Sequence, residues 1–190
     1  MGLHKSDIVA AGIIAVAGVF GIFGPVGRAI LRWERSAIEL GEVWRLLSGH
    51  FVHLGLSHLL LNVAGLVLVW YLAGRDLKPV QWLIVVSVSV LGIDAGFWIL
   101  NPELVWYVGL SGVLHGMLAA GIVVAASDDR KDLVLLGVLV VAKLVYEQVA
   151  GALPGSAGAA GGPVVVDAHL YGAVSGAVTG AIMRRLNRTT

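Results

Sequence analysis

Cysteine is absent from the 190 residues, which excludes disulfides, thiolate metal sites and a cysteine nucleophile together. Charge is scarce as well. Only 13% of the residues are charged while 58% are hydrophobic, against about 25% charged in an ordinary soluble domain, and mean hydropathy is +0.90. Such a chain has lipid as its main solvent. The formal net charge is +1 with no basic stripe, so nothing follows a phosphate backbone and a nucleic-acid partner is not expected. Chemistry, if present, must run on oxygen and nitrogen, and no cofactor is implied.

What is present is a series of apolar windows. A spanning helix needs about 20 mostly apolar residues, and six windows qualify: about 8–30, 57–73, 80–100, 104–126, 133–151 and 164–183. They predict an all-α membrane protein of six helices, with residues 1–190 forming a single domain. Short charged connections at 75–78 and 127–132 separate some of them. Residues 31–57 are longer and mixed, with Trp33, Trp44, Glu34, Glu39 and Glu42, and read as a structured loop in one interface. Lys and Arg bias sets orientation. Lys5, Arg75, Lys78, Arg130, Lys131, Arg184, Arg185 and Arg188 gather on one side, which favours both termini in the cytoplasm. The first window is too long for a signal-peptide core and reads as a retained span.

Polar groups in lipid are costly and mark function. His58, Ser111 and His169 each fall near the start of a window, and the three windows run inward from the outer face. With about 1.5 Å of rise per residue, Ser111 is expected roughly 10 Å inside its helix. Gly112, Gly116 and Ala120 form a small-residue stripe below Ser111; Gly172, Gly176 and Gly180 form another below His169. Such stripes let helix backbones approach in membranes. A serine needs a base in hydrogen-bond reach, and His169 is the base this arrangement offers. A developing oxyanion needs fixed donors. His58 and Asn62, four residues apart on one face, and the backbone N–H of Ser111 supply them.

The motifs "WR" at 44–45, "HLLLN" at 58–62, "GLSG" at 109–112 and "AHLYGAVSG" at 168–176 together resemble the rhomboid intramembrane serine proteases. The resemblance implies a six-helix bundle that cleaves membrane-anchored proteins with a serine–histidine dyad and no acidic third member. Carried onto this chain, it makes Ser111 the nucleophile, His169 the general base, His58 and Asn62 the oxyanion stabilisers, and Gly109 and Gly112 the flanking glycines. His53 resembles a loop-organising histidine of the family, and Trp44 and Arg45 its loop-positioning pair. The forms "GLSGVLHG" and "VDAHLYG" look more like the rhombosortase branch, bacterial inner-membrane proteases acting on a C-terminal Gly-Gly, hydrophobic helix and basic cluster. Many rhomboids carry tyrosine one helical turn after the nucleophile, stacked on the catalytic imidazole. This chain has His115 there, expected to support His169 by stacking or by a hydrogen bond.

Other polar residues have simpler readings. His50, His53 and His58 lack the H-E-x-x-H spacing of a zinc helix, so no metal is expected. Lys143 and Glu147, at i and i+4, neutralise one another inside a span. Asp94 has no apparent partner, and Asp167, at i, i+2 from His169, diverges from it. The Gly/Ala/Pro-rich segment 151–167 is expected to be mobile, as a lid or as a connector. Two other classes compete with a protease: a catalytically silent rhomboid-like client-binding protein, and a transporter. The silent kind usually lacks the serine or histidine, and a transporter would show inverted repeats, which this sequence does not.

Overall fold

In a computed structural model, residues 6–22, 24–73, 77–126 and 130–188 are described, with the side chains of residues 73 and 188 left out. Lys5, Arg75 and residues 127–129, which figure in the orientation and connection readings above, lie outside them. Among the described residues, ten helices and two short strands follow in the order α1 Asp7–Ile22, α2 Gly24–Leu31, β1 Trp33–Glu34, α3 Arg35–Glu39, α4 Arg45–Ser48, α5 Leu56–Ala73, α6 Pro79–Leu100, β2 Trp106–Tyr107, α7 Ser111–Ala125, α8 Lys131–Ala150, α9 Ser156–Ala160 and α10 Asp167–Arg188.

The helix content agrees with the composition, and two boundaries are corrected. The first window is not one helix: α1 and α2 meet at 114°, and Gly24 sits there at φ +57. The fourth helix starts at Ser111 rather than 104. Residues 106–107 are extended because they pair antiparallel with 33–34, Trp33 opposite Tyr107 and Glu34 opposite Trp106. Gly109 at φ +133 then turns the chain, a conformation closed to other residues. Ser111 is therefore at the mouth of its helix, not two turns inside it. Among the described residues, α6 and α8 are long and apolar enough to cross a membrane, the bent pair α1–α2 adds a third if counted as one span, and residues 56–72 and 111–125 form shorter apolar helices.

The loop between α2 and α5 is organised by helix ends. A helix leaves its last four carbonyls without intrahelical donors. The carbonyls at the end of α2 receive side chains instead: Arg45 Nη1 donates to those of Ala29 and Arg32 at 2.9 Å each, Trp44 Nε1 to Ile30 at 3.3 Å and Ser48 Oγ to Leu31 at 2.6 Å. Trp44 and Arg45 thus hold the loop to its own backbone, with Glu42 accepting from Arg45 Nε at 2.6 Å. Arg32 holds the Glu34 carboxyl below the usual carboxylate range by donating to it. At the end of α6 the same job falls to Arg35, which donates to the carbonyls of Phe97 and Asn101 at 2.7 and 2.9 Å and lies over the Trp98 ring. Asp94 does have a partner. His50 Nε2 is 3.2 Å from its Oδ1, and the pair is buried beside Tyr107, whose ring meets His50 edge-on.

The centre of the bundle is the contact between α7 and α10. A Cβ on Gly112 would lie 2.8 Å from the Ala168 carbonyl, one on Gly116 2.8 Å from that of Gly172, and one on Gly180 2.8 Å from that of Ala120. Gly172 and Gly176 are more crowded still, facing the carbonyls of Gly112 and Gly116. Backbone therefore packs on backbone along the whole length of both stripes. α6 closes against the same helix through glycine: Gly96 takes the ring of Tyr171 and Gly92 the hydroxyl of Ser175.

Candidate active site

The ends of five helices meet at one end of the bundle: the starts of α5, α7 and α10 and the finishes of α6 and α8. Asn101, just past α6, donates to Asp167 Oδ2 at 2.9 Å and accepts from the Tyr171 hydroxyl at 2.7 Å. This ties the first turn of α10 in place. Asp167 is thereby committed to Asn101, and His169, two residues on, faces the other way toward Ser111.

His169 Nε2 is 3.0 Å from Ser111 Oγ. Its ring is 5% exposed. Its other nitrogen, Nδ1, is 2.9 Å from Glu147 Oε2, and the Glu147 side chain is 3% exposed. A carboxylate only accepts, so Nδ1 carries the proton and Nε2 presents its lone pair to the serine hydroxyl. An acidic group stands beside this imidazole. The dyad expectation named no such group, and Lys143 and Glu147 are not a pair closed on itself: Lys143 Nζ does donate to Glu147 at 2.7 Å, but the same oxygen serves His169. Sequence spacing alone does not reveal this, because Glu147 and His169 meet across two helices and 22 residues.

His115 stacks on His169, with ring centroids 4.3 Å apart and planes 19° from parallel. Both of its ring nitrogens are engaged elsewhere, Nδ1 with the Ser111 carbonyl at 2.7 Å and Nε2 with Lys143 Nζ at 3.0 Å. His58 Nδ1 accepts from the Leu54 N–H at 3.3 Å, which leaves the proton on Nε2. That nitrogen lies against Gly109, where a Cβ would sit 3.1 Å from it and 3.9 Å from Ser111 Oγ. Only glycine admits the imidazole here. Asn62, 4% exposed, donates through Nδ2 to the His58 carbonyl at 3.0 Å and has a second N–H to offer. Because α7 begins at Ser111, the backbone N–H groups of Ser111 and Gly112 have no intrahelical acceptor.

His58, Asn62, Ser111, His115, Lys143, Glu147 and His169 line one cavity of about 300 Å³, continued by Leu61, Gly65, Leu68 and Leu118. Segment 151–167 forms a wall of it. The segment holds the short helix α9 between Gly155 and Gly161, both at positive φ, and contributes Leu153, Ser156, Ala160 and Val164 to the cavity.

The three loop histidines go separate ways. His50 turns to Asp94, while His53 stands edge-on to His58 with centroids 5.1 Å apart. Burial, with the neighbouring His58 adding to it, pushes the His53 imidazole down to about 4. It is a neutral packing ring at physiological pH.

A serine hydroxyl bonded to a buried imidazole, with N–H donors beside it, is thus set among apolar helices. The Rhomboid domain matches residues 40–186, and the chain belongs to the rhomboid family. It is an integral membrane protein of a family of intramembrane serine proteases. No curated protein matches it.

Proposed function

We propose that this protein is an intramembrane serine endopeptidase with Ser111 as nucleophile, His169 as general base and Glu147 as the group that orients the base. The observation that carries the reading is the chain of contacts Ser111 Oγ to His169 Nε2 to Glu147 Oε2, at 3.0 and 2.9 Å. His169 takes the Ser111 proton as Oγ attacks a substrate carbonyl. The oxyanion is held by the Nε2–H of His58, the free N–H of Asn62 and the backbone N–H of Ser111 at the start of α7. His169 then protonates the departing amine. Water enters, gives a proton to His169 and cleaves the Ser111 ester, and the proton returns to Oγ as the acid leaves.

The substrates are membrane-anchored proteins cut near the outer face of a bacterial inner membrane, with six spans and both termini cytoplasmic. The rhombosortase-like forms "GLSGVLHG" and "VDAHLYG" favour a C-terminal Gly-Gly, hydrophobic-helix and basic region as the target, and glycines at the cut suit a helix that must unwind locally. A fluorophosphonate probe tests the nucleophile. Wild-type protein in detergent is expected to be labelled, and Ser111→Ala and His169→Ala are expected to lose the label. Labelling that persists in Ser111→Ala would overturn the assignment, and an unlabelled wild type would leave the client-binding relative as the better reading.

A further inference from the structure

His115 stands where the resemblance leads one to expect tyrosine, and the exchange has a structural counterpart on α8. Lys143 Nζ is 3.0 Å from His115 Nε2 and 2.7 Å from Glu147 Oε2. The other His115 nitrogen, Nδ1, meets the Ser111 carbonyl at 2.7 Å. A carbonyl can only accept, so Nδ1 carries a proton. An ammonium can only donate, so Nε2 must offer a lone pair. Both contacts are satisfied by a single state of the ring, neutral with its proton on Nδ1. A doubly protonated ring would press an N–H against the ammonium.

This matters because of what His115 faces. Its ring lies 4.3 Å from that of His169, nearly parallel, and His169 becomes an imidazolium when it takes the serine proton. A tyrosine there is uncharged without assistance. A histidine can acquire a proton, and two stacked imidazolium rings would oppose the proton transfer on which catalysis depends. Lys143 occupies the nitrogen that would take that proton. The carboxylate it also contacts keeps the ammonium from adding an unbalanced charge to the cavity.

We infer that Lys143 is a positioning residue of the protease: by donating to His115 Nε2 it holds that ring neutral, so that His169 is stacked on an uncharged platform throughout the cycle. The inference rests on the Ser111–His169 reading and deepens it. It predicts coupling between positions 143 and 115, because phenylalanine at 115 stacks with no nitrogen to protonate and so removes the need for the lysine.

The test is the maximal rate of fluorophosphonate labelling, kinact, separated from KI, for Lys143→Met, His115→Phe and the double variant. Lys143→Met alone is expected to lower kinact about tenfold, the size of one lost charge-assisted hydrogen bond, with KI unchanged. In the His115→Phe background the same substitution is expected to cost less than about twofold, a coupling that independent sites do not show. An equal loss in both backgrounds would overturn the proposal, since Lys143 would then act through Glu147, through His169, whose Nδ1 is 3.5 Å from Nζ, or through the fold alone. So would wild-type kinact in Lys143→Met. Ser111→Ala, run in parallel, separates the two failures: label retained there sinks the serine reading itself, whereas label lost there with Lys143→Met unaffected sinks only the role of Lys143.

Discussion

The two helices that flank α10 are attached to the bundle in opposite ways. α7 meets α10 through glycine, with carbonyl oxygens of each filling space that a methyl group would need on the other. α8 is held more loosely: 17% of its most apolar window is buried, against 39% for α6. Its glycine, Gly137, stands 3.5 Å from Ile122 by the same measure, ordinary contact with room to spare. Yet both helices deliver a group to the same imidazole. The rigid contact sets the distance from serine to histidine, and the looser one sets which nitrogen of the histidine is protonated. Geometry and tautomer are therefore controlled by separate parts of the molecule.

The first way to break that division is at the tight contact. Gly172→Val would put its Cβ 2.7 Å from the Gly112 carbonyl carbon and closer still to the oxygen, with neighbours that are backbone and cannot give way. Overpacking typically costs about 1–3 kcal/mol where side chains can move, and here the two closest atoms are backbone. Loss of the folded protein is expected, read as a collapsed thermal transition in detergent and no labelling at any probe concentration. A variant that folds and labels normally would mean that α7 and α10 are not in glycine-mediated contact.

The second is at the tautomer. Glu147→Gln keeps the side chain's shape and removes the charge that accepts from His169 Nδ1, so the ring is no longer confined to the reactive form. In the serine-protease template, the matching change lowers turnover by about four orders of magnitude without disturbing the geometry. Here a hundredfold or greater fall in kinact is expected, with the thermal transition within a few degrees of wild type. The contrast with Gly172→Val is the point: one variant loses the fold, the other only the rate. Equal kinact for Glu147→Gln and wild type would reduce Glu147 to a partner of Lys143.

This division also explains what could be read in advance. Ser111, His169 and the stripes beneath them follow from one-dimensional rules, because small residues at four-residue spacing have one efficient use in lipid, close helix approach. The tautomer control does not. Glu147 looks complete beside Lys143 at i+4, and nothing in spacing tells that its oxygen is shared with a ring on another helix. The start of α7 escaped for a different reason. Residues 104–110 are apolar enough to continue a span, and only their pairing with the distant 33–34 strand and the turn at Gly109 make them extended. Hydropathy carries no information about such partners. Asp94 belongs with these: its His50 lies 44 residues away in a loop.

The smallest effect is expected where the looser contact can absorb a change. Gly137→Ala on α8 places a methyl group at van der Waals distance from Ile122 Cγ2, 3.5 Å, and nothing has to shift. Alanine is favoured over glycine inside a helix by about 0.5–1 kcal/mol, so the thermal transition should rise slightly or stay level. The rate is the sharper reading. If α8 serves chiefly to carry Glu147 and Lys143 to the imidazole, stiffening it about two to three turns away leaves their register intact, and kinact should match wild type within about twofold. A large fall in kinact with unchanged stability would show instead that α8 must move during the reaction, and the seat of Glu147 on His169 would then be one position of a travelling helix rather than a fixed support.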